Sequence, residues 1–181
     1  MTEPSDELLV SRAAAGDRQA FADLLQRHYR NIYRLGARIL GDAEAAADLA
    51  QDVCVSLPAK LASYRGDSGF RTWLYRVVVN AARDAMRRAA TRRRIEDHYG
   101  EIEAINRSAA ADWRREALWL RRSLAKLGNE LRATVVLVVA EGLRHAEAGK
   151  VLGVAESTVS WRMREAKKRL RSLALEEETT S

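Results

Sequence analysis

The chain has 181 residues, room for one ordinary domain or two small ones, and is 47% hydrophobic but only 6% aromatic. Its 31 Lys and Arg against 25 Asp and Glu give a net charge of +6, which favours a polyanion among its partners. Two prolines, abundant alanine, no alternating strand-like run and no stretch near ~18 uninterrupted apolar residues exclude a sheet fold and a membrane span, leaving an all-α protein.

The N-terminal MTEPSDELL is acidic and lacks the basic and apolar segments of a signal peptide. Ser5 ahead of Asp6-Glu7 is a helix N-cap with acids in the first turn, and Gly16 ends that short helix. Asp17 caps the next, whose apolar positions Phe21, Leu24, Leu25, Tyr29, Ile32, Leu35 and Ile39 follow helical spacing up to Gly41. Asp42 starts a third helix with Ala45, Ala46, Leu49 and Val53 on one face and Asp48, Gln51 and Asp52 clustered on another. From chemistry alone that polar cluster reads as a solvated helix surface. Pro58 should end or kink the helix near Leu57 by removing an amide donor. Cys54 stands alone, so no intrachain disulfide can form and a reducing cytoplasm fits.

Next comes the stretch YRGDSGFRTWLYRVVVNAARDAMRR, from Tyr64 to Arg88. It opens as a glycine-containing loop and continues as a helix with Phe70, Trp73, Leu74, Val77, Ala81 and Ala85 on one face. A second face collects Thr72, Arg76, Asn80, Arg83 and Arg87, three guanidinium groups and an amide suited to phosphates and bases. Arg92-Arg93-Arg94 prolongs the basic face, and the acidic, alanine-rich remainder to Trp113 reads as a linker. Residues 1–95 carry a net +5, residues 96–113 a net −4 and residues 114–181 a net +5, the pattern of two basic domains about an acidic connector.

Trp113 and Trp119 are expected as core at the start of the second domain. Leu118, Leu124, Leu127, Leu131, Val135, Val138 and Val139 then form an apolar stripe interrupted at Gly128. HAEAGKVLGVAESTVSWRMREAKKRL has the grammar of a helix-turn-helix over 145–164: a helix at His145–Leu152, Gly153 in the turn, and a second helix from about Glu156. Val159, Met163, Ala166, Leu170 and Leu173 face inward, while Ser157, Ser160, Trp161, Arg164, Lys167 and Lys168 face elsewhere. His28, His98 and His145 have no second ligand at metal spacing, and the sequence carries no glycine-rich phosphate loop or catalytic carboxylate pair.

The run RGDSGFRTWLYRVVVNAARD resembles the segment with which bacterial sigma factors of the extracytoplasmic-function (ECF) group, in the sigma-70 family, open promoter DNA. DLAQDV at 48–53 looks like their polymerase-gripping signature, and Gly142–Arg162 resembles their helix-turn-helix segment. The resemblance covers about residues 6–95 and 114–173. It implies two small helical domains: sigma region 2 over 1–95 and sigma region 4 over 114–175, with 96–113 as linker and 176–181 as tail. The implied function is not enzymatic and needs no cofactor or metal: binding core RNA polymerase and directing promoter-specific transcription initiation.

In that reading Asp48, Gln51 and Asp52 grip the clamp helices of the polymerase's largest subunit. Tyr64, Arg65, Asp67, Ser68 and Phe70 form a pocket for an extruded base of the minus-ten element, with Trp73, Arg76, Asn80, Arg83 and Arg87 along the strand. Ser157, Ser160, Trp161 and Arg164 reach for base edges of the minus-thirty-five element, and Thr158, Arg162, Lys167 and Lys168 hold phosphates. Further implied partners are the polymerase flap and an anti-sigma factor.

Several positions depart from the family pattern. Pro58 stands where many members carry tryptophan, with Leu61 the nearest replacement anchor. Arg144-His145 removes a hydroxyl cap, and Ala148-Gly149 replaces a larger apolar pair, which should loosen the hairpin. Trp161 stands where a small polar residue is common, and two roles are open to it: reading a base, or packing sideways into the space left by Ala148 and Gly149. The rival function is a conventional helix-turn-helix regulator that works without core polymerase; a protein-binding helical adaptor is a second. Both leave segments such as DLAQD and RGDSGFRTWLYR, or the arginine stripe, without a task.

Overall fold

Short polar side chains start the first three helices, and left-handed glycines stop the second of them and the first helix of the hairpin. The computed structural model describes residues 4–96 and 122–178. The linker, with His98, Trp113 and Trp119, and the side chains of Arg92, Arg93 and Arg94 lie outside the described residues. Helix α1 (Asp6–Ala14) begins with the Leu8 N–H donating to Ser5 Oγ at 3.3 Å. Helix α2 (Arg18–Leu40) begins with Asp17 Oδ1 accepting from the Gln19 and Ala20 N–H groups, both at 3.0 Å. Those backbone donors, with the Arg12 guanidinium beside them, hold the Asp17 carboxyl below its usual range. Gly41, at φ 77°, ends α2, and Asp42 caps helix α3 (Ala43–Leu61) through the Ala45 N–H at 2.7 Å.

Pro58 does not end α3 at Leu57. The helix carries the proline in its last turn and runs on to Leu61. Because the ring removes one amide donor one turn from the helix end, little of the ladder is lost. Leu57 and Leu61 are both buried, so the apolar anchoring of this end rests on leucines. A second correction falls on α2. Tyr29 is exposed, and its neighbour His28 is buried in its stead, with Leu24, Ile32, Leu35 and Ile39 along the same face. His28 is paired across elements: its Nε2 lies 2.8 Å from Asp6 Oδ2, and Asp6 Oδ1 also accepts from Arg27 at 2.7 Å. This carboxylate pins α1 to α2.

Helix α4 (Phe70–Glu96) packs on α2 and α3. Its burial is wider than the expected face. Phe70 and Leu74 are buried and Trp73, Val77, Ala81 and Ala85 are half-buried, but Tyr75, Val78, Val79 and Ala82 are also buried. The cause is a second neighbour. After a helical turn at 122–126 come α5 (Asn129–Val135), a π-helical segment Val136–Ala140, then α6 (His145–Leu152) and α7 (Glu156–Glu178). Helix α6 lies against α4, and the buried residues of both halves form one continuous apolar cluster. A smaller cluster, Leu127, Leu131 and Ala166, joins α5 to α7.

The π segment overturns the expected stripe beyond Val135. Its wider turn, seen in the Glu141 N–H donating to Val136 O at 3.0 Å, carries Val136 and Leu137 inward and leaves Val139 67% exposed. Helices α6 and α7 match the expected hairpin, with Gly153 at φ 70° between them. The missing hydroxyl cap of α6 is offset by Glu147, whose Oε2 accepts from the Arg144 N–H at 2.9 Å. The hairpin is not loosened by Ala148-Gly149. Both are buried, and a Cβ on Gly149 would sit 2.8 Å from the Val154 carbonyl oxygen, so the small pair permits a close backbone approach.

Candidate nucleic-acid and partner-binding surfaces

Asp48, Gln51 and Asp52 are exposed on α3, since Leu49, Ala50 and Val53 take the buried side of the same turns. Among the described residues none of the three has a hydrogen-bond or ion-pair partner. Asp48 and Asp52 edge a groove of about 860 Å³ between α3 and α4, whose other wall carries Asn80, Asp84 and Arg88. Asn129 and Arg132 of α5 close part of that groove. Two unneutralised carboxylates one helical turn apart, with an amide beside them, are suited to a basic protein surface.

The loop at 62–69 folds back on the start of α4. The Tyr64 hydroxyl donates to Ser68 O at 2.8 Å, and the Tyr64 ring meets Phe70 and Trp73 edge-on at 5.9 and 5.5 Å. Burial, then the nearby Glu7 and Asp6, push the Tyr64 phenol up, so it stays a donor. The result is a cavity of about 380 Å³ lined by Tyr64, Arg65, Asp67, Ser68, Trp73, Arg76 and Asn80. Seven of the ten residues expected at the minus-ten surface thus share one concavity. Its size suits a planar heterocycle, its Trp73 and Tyr64 rings offer π-faces, and Arg76 and Asn80 offer donors at the rim.

Phe70 requires correction. It is 1% exposed, stacks on Trp73 at 5.6 Å and meets His28 edge-on at 5.2 Å, so it lies beneath the cavity's lining and supports it. Arg83 and Arg87 also lie outside its lining. Arg83 donates to Leu152 O and Glu130, both at 3.2 Å, and Arg87 pairs with Asp84. Sequence reasoning missed Lys60, Ser63 and Val77, which complete the lining. Lys60 also edges the α3–α4 groove, and its place in the last turn of α3 just before the loop was the available signal.

On the hairpin, Ser157, Trp161, Arg164, Lys167 and Lys168 are exposed on one side of α7. Trp161 is 56% exposed, so it does not pack into the hairpin as one of the two open readings had it. Ser160 is held by His145, Nδ1 to Oγ 2.9 Å, which ties the two hairpin helices together and takes up its hydroxyl. Thr158 is half-buried at the start of α7. Arg162 is corrected: its side chain is only 14% exposed and lies 2.7 Å from Glu130, so in this conformation it offers no free charge to a phosphate. Between the π segment and α7 lies a mainly apolar cleft of about 810 Å³, lined by Val135, Val139, Met163, Ala166, Leu170 and Ala174 with Arg164 and Lys167 at its edge.

No described helix is long and apolar enough to cross a membrane. Among the described residues no cluster of His, Cys, Asp and Glu could hold a metal ion.

Residues 24–93 match the family model for sigma-70 region 2, and residues 117–170 match that for sigma-70 region 4. The chain is 38% identical over 173 residues to the ECF RNA polymerase sigma factor SigM of Mycobacterium tuberculosis, covering 94% of this chain and 85% of that one. It is 33% identical to the RNA polymerase sigma factor NccH of Alcaligenes xylosoxydans xylosoxydans, over 96% and 97% of the two chains. Among solved structures, CnrH in complex with the cytosolic domain of CnrY superposes with a TM-score of 0.69 at 28% identity, covering 93% of this chain and 96% of CnrH.

Proposed function

The chain belongs to the extracytoplasmic-function group of sigma-70 factors, and from that premise we propose how its surfaces divide the work of binding core RNA polymerase and directing promoter-specific initiation. Asp48, Gln51 and Asp52 meet the basic clamp helices of the polymerase's largest subunit, a role supported by their exposure beside an open groove. The cavity under the 62–69 loop receives a base extruded from the minus-ten element. Trp73 and Tyr64 stack on it, and Arg76 and Asn80 hold the strand beside it. The convergence of seven expected side chains, from the loop and from α4, on that one concavity is the observation that carries this assignment.

Helix α7 enters the major groove of the minus-thirty-five element, where exposed Trp161 and Arg164 reach base edges and Ser157, Lys167 and Lys168 hold the backbone. The apolar cleft behind α7 suits the polymerase flap. The 1–95 and 114–175 boundaries follow from this division of labour, with 96–113 as connector and 176–181 as tail. An anti-sigma factor is the further partner; the CnrH structure, which holds a domain of CnrY, supports a protein partner for this chain as well. The protein works by binding, in the cytoplasm, without catalysing a reaction of its own.

The experiment is in vitro transcription on a genomic fragment library with purified core polymerase, followed by mapping of start sites. A shared pair of minus-ten and minus-thirty-five elements upstream of the starts is the expected outcome. The paired substitution Asp48→Lys, Asp52→Lys should abolish transcripts and core binding while helicity is kept. Unchanged affinity for core polymerase would refute the clamp assignment.

A further inference from the structure

Two of the side chains that α7 could offer to a base are already engaged inside the protein. The Ser160 hydroxyl is held by His145, Nδ1 to Oγ 2.9 Å, and Arg162 pairs with Glu130 at 2.7 Å. What stands exposed is Ser157, Trp161, Arg164 and Lys168, at spacings of four, three and four, one stripe of the helix. Among the described residues none of these four side chains has a hydrogen-bond or ion-pair partner. Trp161 is the misfit among them. It is 56% exposed, and it lines no part of the apolar cleft beside α7. The fold makes no use of the ring, while Arg164 and Lys168 on the following turns give it the cationic surroundings of a surface that meets DNA.

We propose that Trp161 reads the C5-methyl group of a pyrimidine in the major groove of the minus-thirty-five element, one or two base pairs from a guanine read by Arg164. This rests on the assignment of α7 to that groove. The chemistry of the base edges narrows the choice. In the major groove adenine, guanine and cytosine present hydrogen-bonding groups, and thymine alone adds an apolar one, its methyl. An indole has two apolar faces, one N–H donor and no acceptor. Set against cytosine or adenine, the ring would strip water from an amino group and accept no hydrogen bond in return. Set against thymine, it covers the methyl and costs no donor its partner. A 5-methylcytosine carries the same methyl in the same place, so the ring favours it over cytosine.

Spacing supplies the neighbour. Arg164 lies three residues beyond Trp161, a rise of ~4.5 Å at ~1.5 Å per residue. For a helix lying along the groove that is between one and two base-pair steps of ~3.4 Å. A guanidinium without an internal partner is free to take guanine O6 and N7 bidentately.

The test is competition binding of the wild-type holoenzyme, formed on core polymerase, to promoter duplexes chosen from its own mapped start sites. Each thymine on both strands of the minus-thirty-five element is replaced in turn by deoxyuridine, which removes only the methyl. One replacement should weaken binding about fourfold, the factor for one buried methyl group, and the others should change it little. At that position 5-methylcytosine should bind better than cytosine by a similar factor. Trp161→Ala should abolish both differences with helicity unchanged, and Trp161→Phe, which keeps an apolar ring without the N–H, should retain them. Arg164→Ala should relax the preference for a guanine within two pairs of the same thymine. Three results overturn the proposal: no deoxyuridine effect at any thymine, an effect that survives in Trp161→Ala, or a methyl-sensitive thymine with no Arg164-dependent guanine within two pairs. A loss with 7-deazapurines that depends on Trp161, without a deoxyuridine effect, would assign the indole N–H to a purine N7 and overturn it as well. A holoenzyme that selects no minus-thirty-five element refutes the placement of α7 and the proposal with it, whereas selective binding without methyl dependence refutes the proposal alone.

Discussion

Gly149 offers a sharp test of how the hairpin is built. It sits inside α6, buried, where a glycine ordinarily costs about 0.5–1 kcal/mol relative to alanine, so an unconstrained Gly149→Ala would stabilise the protein. The surroundings reverse the sign. The new Cβ would lie 2.8 Å from Val154 O, 3.6 Å from Glu156 N and 3.7 Å from Ala155 C, all backbone atoms of the turn that launches the recognition helix. Backbone cannot rotate aside as a side-chain tip can, and forced overpacking costs about 1–3 kcal/mol. Set against the helix gain, the net cost is about 1–2 kcal/mol, or a thermal midpoint lowered by roughly 2–8 °C for a chain of this size. Gly36 is the control. Its added Cβ would meet the Leu49 Cδ2 atom at 3.1 Å, the far end of a flexible side chain, so Gly36→Ala should move the midpoint much less. Thermal unfolding followed by circular dichroism, with minus-thirty-five duplex binding in parallel, reads both. A Gly149→Ala variant as stable as the wild type or more so would refute the close-approach argument.

Three further outcomes are expected. Trp161→Ala should leave the thermal midpoint unchanged, because the ring is exposed, yet cost roughly 1–3 kcal/mol at a single minus-thirty-five position in a base-substitution scan; equal weakening on every promoter variant would contradict base reading. Asn80→Ala should leave duplex binding normal while permanganate footprinting shows failed strand opening, and wild-type opening would remove Asn80 from the melting surface. Asp6→Ala should destabilise region 2 by about 1–3 kcal/mol in a denaturant titration, because it removes the carboxylate that buried His28 and half-buried Arg27 share; a loss within experimental scatter would show that α1 is not pinned by that carboxylate.

What was legible in the sequence was what local chemistry decides. Ser5, Asp17 and Asp42 start their helices because a short oxygen-bearing side chain can satisfy the first free N–H groups, and Gly41 and Gly153 stop theirs at positive φ. The hairpin at His145–Leu152 and Glu156 onward follows from the same grammar. The gathering of Tyr64 through Asn80 on one surface was accessible through motif and loop chemistry together. Phe70's place beneath the cavity, outside its lining, was not legible, because a motif marks a residue as needed without saying whether it lines a pocket or props up what does. His28 was hidden because a helical wheel ranks an imidazole as polar, whereas Asp6, 22 residues away, is what makes its burial tolerable.

The closed arrangement of the two halves was illegible for a deeper reason. Periodicity at 100° per residue reports which side of a helix is apolar but not how many neighbours it meets. On α4, Tyr75, Val79 and Ala82 lie at spacings of four and three, a second buried stripe beside the first, and only a second partner makes sense of it. On the other side of that contact, the π turn at Val136–Ala140 shifts the phase of the helix, so a regular wheel places Val139 inward and gives Glu141 no role. The shift moves Val139 to solvent and brings the Glu141 carboxylate to Arg38, Arg71 and Tyr75. A π turn gives up regular helical hydrogen bonding, and here that irregularity positions a largely buried acid against two arginines and a phenol from the other domain. Such a contact adds little net stability, because its parts would otherwise be hydrated.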